Sequence, residues 1–130
     1  MFVGVIVARS SQQKPVVLVV EDEVLIRMHA ADMVRDLGFE AVEAGNADEA
    51  ISLLESRSEI TVVFTDIQMP GSMDGLRLVA VIRNRWPPVE LLVTSGQLRP
   101  KDSELPENAH FLPKPYLLGE LKTHLDALAR

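Results

Sequence analysis

Four apolar runs in this chain end in residues able to do chemistry. Val16 to Val20 leads directly into Glu21, Asp22 and Glu23, and Thr61 to Thr65 ends at Asp66. Glu90 to Val93 runs into Thr94 and Ser95, and His110 to Leu112 precedes Lys114, which stands between Pro113 and Pro115. Carboxylates gathered at one point repel one another and resist ionisation. A hard divalent cation, Mg²⁺ or Mn²⁺, relieves that repulsion, because it takes oxygen ligands, keeps several waters and is commonly held by one or two carboxylates. Asp22 and Asp66 are the expected direct ligands. Glu21, one methylene longer than Asp, reaches the ion directly or through a bound water, and its residue type does not choose between these. A carboxylate beside such a cation is also a competent nucleophile toward phosphorus. Phosphoryl transfer needs in-line positioning and charge neutralisation more than covalent help. The ion covers one phosphoryl oxygen, Lys114 pairs with another as a point charge, and the Thr94 hydroxyl donates to a third.

Taken singly these residues are ordinary. An acidic cluster before a helix is commonly a cap or a dipole partner, and an Asp before a Pro-Gly loop is commonly a turn residue. Thr94 would simply end a strand, and Lys114 would be a solvated lysine. Their joint placement carries the chemistry.

The elements between them explain why they meet. Unbroken β-branched and Leu runs suit strands buried on both faces. Ile26, Ala30, Met33, Val34 and Leu37 recur at helical spacing, with Gly38 as a stop. Phe39 to Glu43 reads as a short strand. Asn46 is placed to cap a helix whose apolar face is Ala47, Ala50, Ile51 and Leu54. Met69 to Gly75 reads as loop, Leu78, Val79 and Ile82 mark a third helix, and Trp86-Pro87-Pro88 ends it. Leu118, Leu121, Leu125 and Leu128 make a closing amphipathic helix. Arg99 to Asn108, broken by Pro100 and Pro106, has room for a short helix at most. Strands alternating with helices predict an α/β doubly wound parallel sheet with right-handed crossovers. Such sheets bind ligands beyond the carboxyl ends of their strands, where the winding reverses.

Composition narrows the field. The chain has 130 residues, the size of one domain, with 47% hydrophobic and 25% charged residues. Its net charge is −6, from 19 acidic and 13 basic side chains, with no Lys/Arg stripe of the kind nucleic-acid binding requires. It has no cysteine, which excludes disulfides and thiolate metal sites. The apolar stretch Phe2 to Ala8 lacks the basic start and length of a secretory signal and falls short of the roughly 20 residues of a membrane span. Residues 1–14 are expected to be an extension of unknown role, and 15–130 one domain, cytoplasmic and not membrane-bound.

Val17-Leu18-Val19-Val20-Glu21-Asp22-Glu23, Thr65-Asp66-Ile67-Gln68-Met69-Pro70, Asp74-Gly75, Val93-Thr94-Ser95-Gly96 and Leu112-Pro113-Lys114-Pro115 together resemble the receiver domain of two-component response regulators. The resemblance covers about Pro15 to Arg130 and implies a flavodoxin-like fold of five parallel strands in the order 2-1-3-4-5, with helices on both faces. It implies that Asp66 takes a phosphoryl group from the phosphohistidine of a sensor histidine kinase or histidine phosphotransferase. The metal would be held by Asp22, Asp66 and the backbone carbonyl of Gln68. The Lys114–Pro115 peptide would be cis, and Thr94 would work as a switch together with the aromatic on strand five, here Phe111. Gln68 stands where the family tunes phosphate lifetime, and small Ser95 and Gly96 leave room for the phosphodonor.

Some features depart from the family pattern. Phe111 lacks the hydroxyl of the more usual Tyr, the loop from Pro70 to Gly75 is a little longer than usual, and the prolines in 99–108 put the usual fourth helix in doubt. His29, His110 and His124 have no acid or Ser partner at a telling spacing and read as solvated or packing residues. The expected protein is a single-domain signalling receiver rather than an enzyme. Its output would pass through contacts with an unidentified protein target, at the edge formed by strand five and the Leu118 helix, and a homodimer is left open. The alternative is a metal-dependent phosphohydrolase with Asp66 as nucleophile. The haloacid dehalogenase family has a second acid two residues after that nucleophile, where this chain has Gln68. A pseudo-receiver, a plain binding module, is opposed by the retained Asp22, Asp66, Thr94 and Lys114.

Overall fold

A computed structural model describes residues 15–69, 74–96 and 105–129. The expectations for residues 1–14, for Pro70 to Met73 and for the greater part of 99–108 lie outside them. Among the described residues, five strands form one all-parallel sheet in the order β2-β1-β3-β4-β5. The strands are β1 (Val16–Val20), β2 (Glu40–Ala44), β3 (Ile60–Asp66), β4 (Glu90–Ser95) and β5 (His110–Pro113), and the helices are α1 (Val24–Asp36), α2 (Ala47–Ser56), α3 (Gly75–Arg85) and α4 (Leu118–Leu128).

Alternation along the central strands divides the core into two layers. Leu18, Val20, Val63, Leu91 and Val93 face Ala50, Leu54, Leu78, Val79 and Ile82 of α2 and α3. Val17, Val19, Val62, Phe64, Leu92 and Leu112 face Ala30, Ala31, Val34, Leu121 and Leu125 of α1 and α4. Every residue of β1 is buried, as expected for a central parallel strand covered on both faces. The chain leaves β1 toward β2 on one side and returns to β3 on the other, so the winding reverses between β1 and β3, at Glu21 and Asp66.

Boundaries move where backbone bonds compete. The second strand starts at Glu40 rather than Phe39, because the Phe39 N–H donates to Val34 O at the end of α1, and Glu40 N–H is the first to reach β1's side, at Pro15 O. The fourth strand includes Thr94 and Ser95, whose carbonyls accept from Ile67 N–H and Lys114 N–H at 3.0 Å each. The stop at Gly38 is used as expected, with a left-handed φ of 95°. Asn46 caps α2 by accepting from Glu49 N–H, and Asp74 caps α3 by accepting from Arg77 N–H. Leu118 departs from expectation: it opens α4 but is exposed, while Leu121, Leu125 and Leu128 carry the buried face. Residues 105–109 are a turn closed by Ala109 N–H on Pro106 O, with Asn108 in the left-handed region at φ 69°, a conformation Asn tolerates.

Candidate functional site

Parallel pairing brings the chemically able residues to one edge. Asp66 is the last residue of β3 and sits opposite Thr94 of β4, which in turn sits opposite Leu112 of β5. Glu21 follows the last residue of β1, and its N–H donates to Ala44 O at 3.1 Å, continuing the β2 side of the ladder for one more bond. Lys114 follows β5. A small cleft of about 20 Å³ is lined by Glu21, Ile26, Asp66, Thr94, Lys114 and Tyr116, among others.

The ammonium of Lys114 joins the carboxylates. Its Nζ donates to Asp66 Oδ2 at 2.5 Å and to Glu21 Oε1 at 3.3 Å. The other oxygen of each acid accepts a backbone N–H: Asp66 Oδ1 from Gln68 at 2.9 Å and Glu21 Oε2 from Glu23 at 3.1 Å. Both acids are largely enclosed, Glu21 6% and Asp66 8% exposed, whereas Asp22 is half-buried and Gln68 and Gly96 are exposed. The Lys114–Pro115 peptide is cis.

Burial sets the electrostatics. It pushes the Glu21 carboxyl from 4.5 up to about 7; the Glu23 N–H and the Lys114 charge favour the anion, and the adjacent carboxyls of Asp22 and Asp66 oppose it. For Lys114 burial works toward the neutral form, but the hydrogen bonds and charges of Asp66 and Glu21 outweigh it and raise the pKa. The ammonium is therefore a permanent charge at neutral pH.

Whether a cation fits is decided by the donor set. Asp22, Asp66, Glu21 and the Gln68 backbone offer oxygen alone, and the Glu21 carboxyl is pushed up first by burial and then by the neighbouring acids, whose mutual repulsion a cation would relieve. Among the described residues no three acidic, histidine or cysteine side chains form a metal cage. Mg²⁺ needs none, because it binds through one or two carboxylates and retains its waters. The residues present fit that mode.

Several features were not apparent in the sequence. The Thr94 hydroxyl donates to Leu112 O at 2.6 Å, toward β5 rather than toward Asp66. Phe111 lies opposite Val93, half-buried against the α2–α3 layer, so in register it is a neighbour of Thr94 and not its partner. Tyr116 borders the cleft, edge-on to Phe64 at 5.8 Å, with its phenol pKa raised by burial, opposed by Lys114 and reinforced by Glu21 and Asp66. Its position after Lys114-Pro115 was the one available signal. Gly75 approaches so closely that a Cβ there would lie 2.0 Å from Asp66 O. His110 and His124, read as solvated or packing residues without an acid or Ser partner, meet each other with Nδ1 atoms 3.0 Å apart, while His29 is exposed.

A doubly wound parallel sheet in this strand order, with acids and a lysine at its switch point, is flavodoxin-like. The model of the response regulator receiver domain matches residues 17–126, and the chain belongs to that family of two-component response regulators. The response regulator protein FleR of Pseudomonas aeruginosa is 35% identical over 88% of this chain and 24% of its own length. The sensor kinase CckA of Brucella abortus is 34% identical over 82% of this chain and 12% of its own length. This chain thus spans a quarter or less of these two curated relatives. A response regulator receiver protein from Sinorhizobium medicae superposes with a TM-score of 0.82 at 25% identity, covering 88% of this chain and 94% of that one. No helix among the described residues is long and apolar enough to cross a membrane.

Proposed function

We propose that this receiver is controlled by transfer of a phosphoryl group from a phosphohistidine to Asp66, assisted by Mg²⁺ or Mn²⁺. The observation that supports it most is the Lys114 ammonium shared between Asp66 Oδ2 and Glu21 Oε1 in a cleft at the winding reversal. The phosphorus–nitrogen bond of the donor breaks as an Asp66 carboxylate oxygen takes the phosphorus, and the leaving imidazole keeps the electron pair. When bound, the cation supplies charge neutralisation for the incoming phosphoryl oxygens, held by Asp22, Asp66 and the Gln68 carbonyl, with Glu21 in direct contact or behind a water. Lys114 remains protonated and supplies a second positive charge. Thr94 can exchange its bond to Leu112 O for one to a phosphoryl oxygen, and Phe111 on the adjoining strand is placed to respond by repacking. Gln68, exposed beside Asp66, can orient or obstruct water attacking the acyl phosphate, and Ser95 with Gly96 keeps the approach unobstructed.

The donor is a sensor histidine kinase or histidine phosphotransferase, consistent with similarity to a segment of a sensor kinase. Two exposed leucines flank the acidic turn and the Lys114 loop, Leu25 at 79% and Leu117 at 73% exposure, and offer apolar contact area for a protein partner. Output to an unidentified target follows from contacts made or lost in a cytoplasmic setting. The phosphohydrolase reading is not favoured, because Gln68 stands where that family has its second acid.

Treatment with a small acyl phosphate and Mg²⁺, followed by intact mass, tests the assignment. One added phosphoryl group is expected, with none in Asp66→Asn. Labelling that persists in the variant removes Asp66 from its role, and sustained turnover of a phosphomonoester favours the hydrolase instead.

A further inference from the structure

The turn carrying Glu21 and Asp22 is anchored at every polar atom of Glu21. Its N–H reaches Ala44 O, its two carboxylate oxygens meet Lys114 and Glu23 N–H, and its carbonyl accepts from Arg27 Nη1 at 2.9 Å. Arg27 belongs to α1, one turn past the acids, and its side chain is 18% exposed. Its Nε donates to Glu43 Oε1 of β2 at 3.3 Å. Glu43 is steadied in turn by Arg35, whose Nη2 lies 3.7 Å from Glu43 Oε2 and also donates to Ala41 O. Gly45 leaves the space this needs, since a Cβ there would come within 3.1 Å of Arg27 Nη1.

The Glu21 carbonyl and the Asp22 N–H share one rigid peptide plane. Holding the carbonyl therefore fixes the plane that carries the Asp22 N and Cα, from which its side chain departs with only φ of Asp22 and its own rotamer left to turn. We infer that Arg27 is a positioning residue for the cation site, setting the aim of Asp22 through the Glu21 carbonyl, with Glu43 fixing the guanidinium. The inference rests on the cation-assisted reading above. Groups that orient metal ligands without touching the metal commonly change its affinity by roughly tenfold to a hundredfold when removed. A simple brace between α1 and β2 would change stability and leave the affinity of the folded protein alone.

Calorimetric titration of the metal-free protein with Mg²⁺, well below the unfolding transition, separates the two. Arg27→Gln is expected to weaken Mg²⁺ binding by roughly tenfold or more and to shift the Asp22 amide resonance in the metal-free state. Arg27→Lys, which keeps one donor for the carbonyl, should recover part of the affinity. Gly45→Ala, which crowds Nη1 without altering the charge, should fall between wild type and Arg27→Gln and serves if the latter fails to fold. Wild-type binding with affinities of all three variants within about twofold, within the scatter such effects would exceed, overturns the role of Arg27 alone. Absence of Mg²⁺ binding in the wild type overturns the cation-assisted reading together with it.

Discussion

Replacing Glu21 by Gln should stabilise the metal-free protein, and only at pH values where Glu21 would be charged. Burial and the neighbouring Asp22 and Asp66 hold this carboxyl up at about 7, against 4.5 in the unfolded chain. The sign follows from proton counts. Between those two pH values the folded state binds more protons than the unfolded state, so stability falls as pH rises. The stabilising share of Glu21 is complete below 4.5 and gone above about 7. The full gap corresponds to about 3 kcal/mol at pH 8. Gln keeps the shape, but its single oxygen can serve either Glu23 N–H or Lys114 and leaves the NH2 donor facing the other, so a net gain of about 1–2 kcal/mol is expected at pH 8. At pH 4.5 to 5 the gain should vanish. Urea unfolding in chelator, followed by the single tryptophan, Trp86, and by far-ultraviolet circular dichroism, measures it. Saturating Mg²⁺ should erase the advantage, because binding to the folded state favours the protein with the fuller set of acids. A gain of equal size at pH 5 and pH 8, or a loss at pH 8, would refute the reasoning.

Two further outcomes follow from local geometry. Gly75→Ala places a Cβ 2.0 Å from Asp66 O and 2.6 Å from Ile67 Cα, both backbone atoms that cannot step aside cheaply; it should cost about 3 kcal/mol of stability and impair acyl-phosphate labelling of Asp66, and a urea midpoint equal to wild type would contradict it. His124 has its pKa lowered by burial and by His110, partly opposed by Glu120, so its contribution is present above 6.5 and fades as pH falls below that value; the stability difference between wild type and His124→Gln should therefore shrink from pH 7.5 to pH 5.5 in paired denaturation curves, and a constant difference would count against the pairing.

The strand ends were legible because burial on both faces writes itself as unbroken apolar runs, and Glu21, Asp66, Thr94 and Lys114 each follow one. Parallel pairing then leaves a single edge for them to share. What stayed hidden depends on contacts between elements distant in sequence. His110 and His124 face each other only because α4 packs back on β5. Arg27 reads as an ordinary polar residue at helical spacing until β2 brings Glu43 beside it. Leu118 fits the apolar periodicity of α4, yet it is the first helical residue and is exposed, while Leu121, Leu125 and Leu128 carry the buried face. Phe39 satisfies the alternation of β2, but its N–H closes α1 first.

The position of Thr94 constrains how a charge change at Asp66 can travel. Both groups that would answer new negative charge there are already tied to the fifth strand. The Thr94 hydroxyl holds Leu112 O, and the Lys114 backbone N–H holds Ser95 O while its ammonium holds Asp66 and Glu21. Drawing the Thr94 hydroxyl toward Asp66 therefore gives up its bond to β5, whereas the Lys114 ammonium already reaches Asp66 without breaking a bond at the β4–β5 junction. The β1 side offers no such lever, since Glu21 is fixed at all its polar atoms and Asp22 follows it in the same turn. On the phosphorylation reading proposed above, displacement would fall on β5 and the connection from Tyr116 to Leu118 into α4, where Leu117 and Leu118 are exposed. A receiver built this way would bind its cation on one side of the cleft and report its phosphorylation on the other.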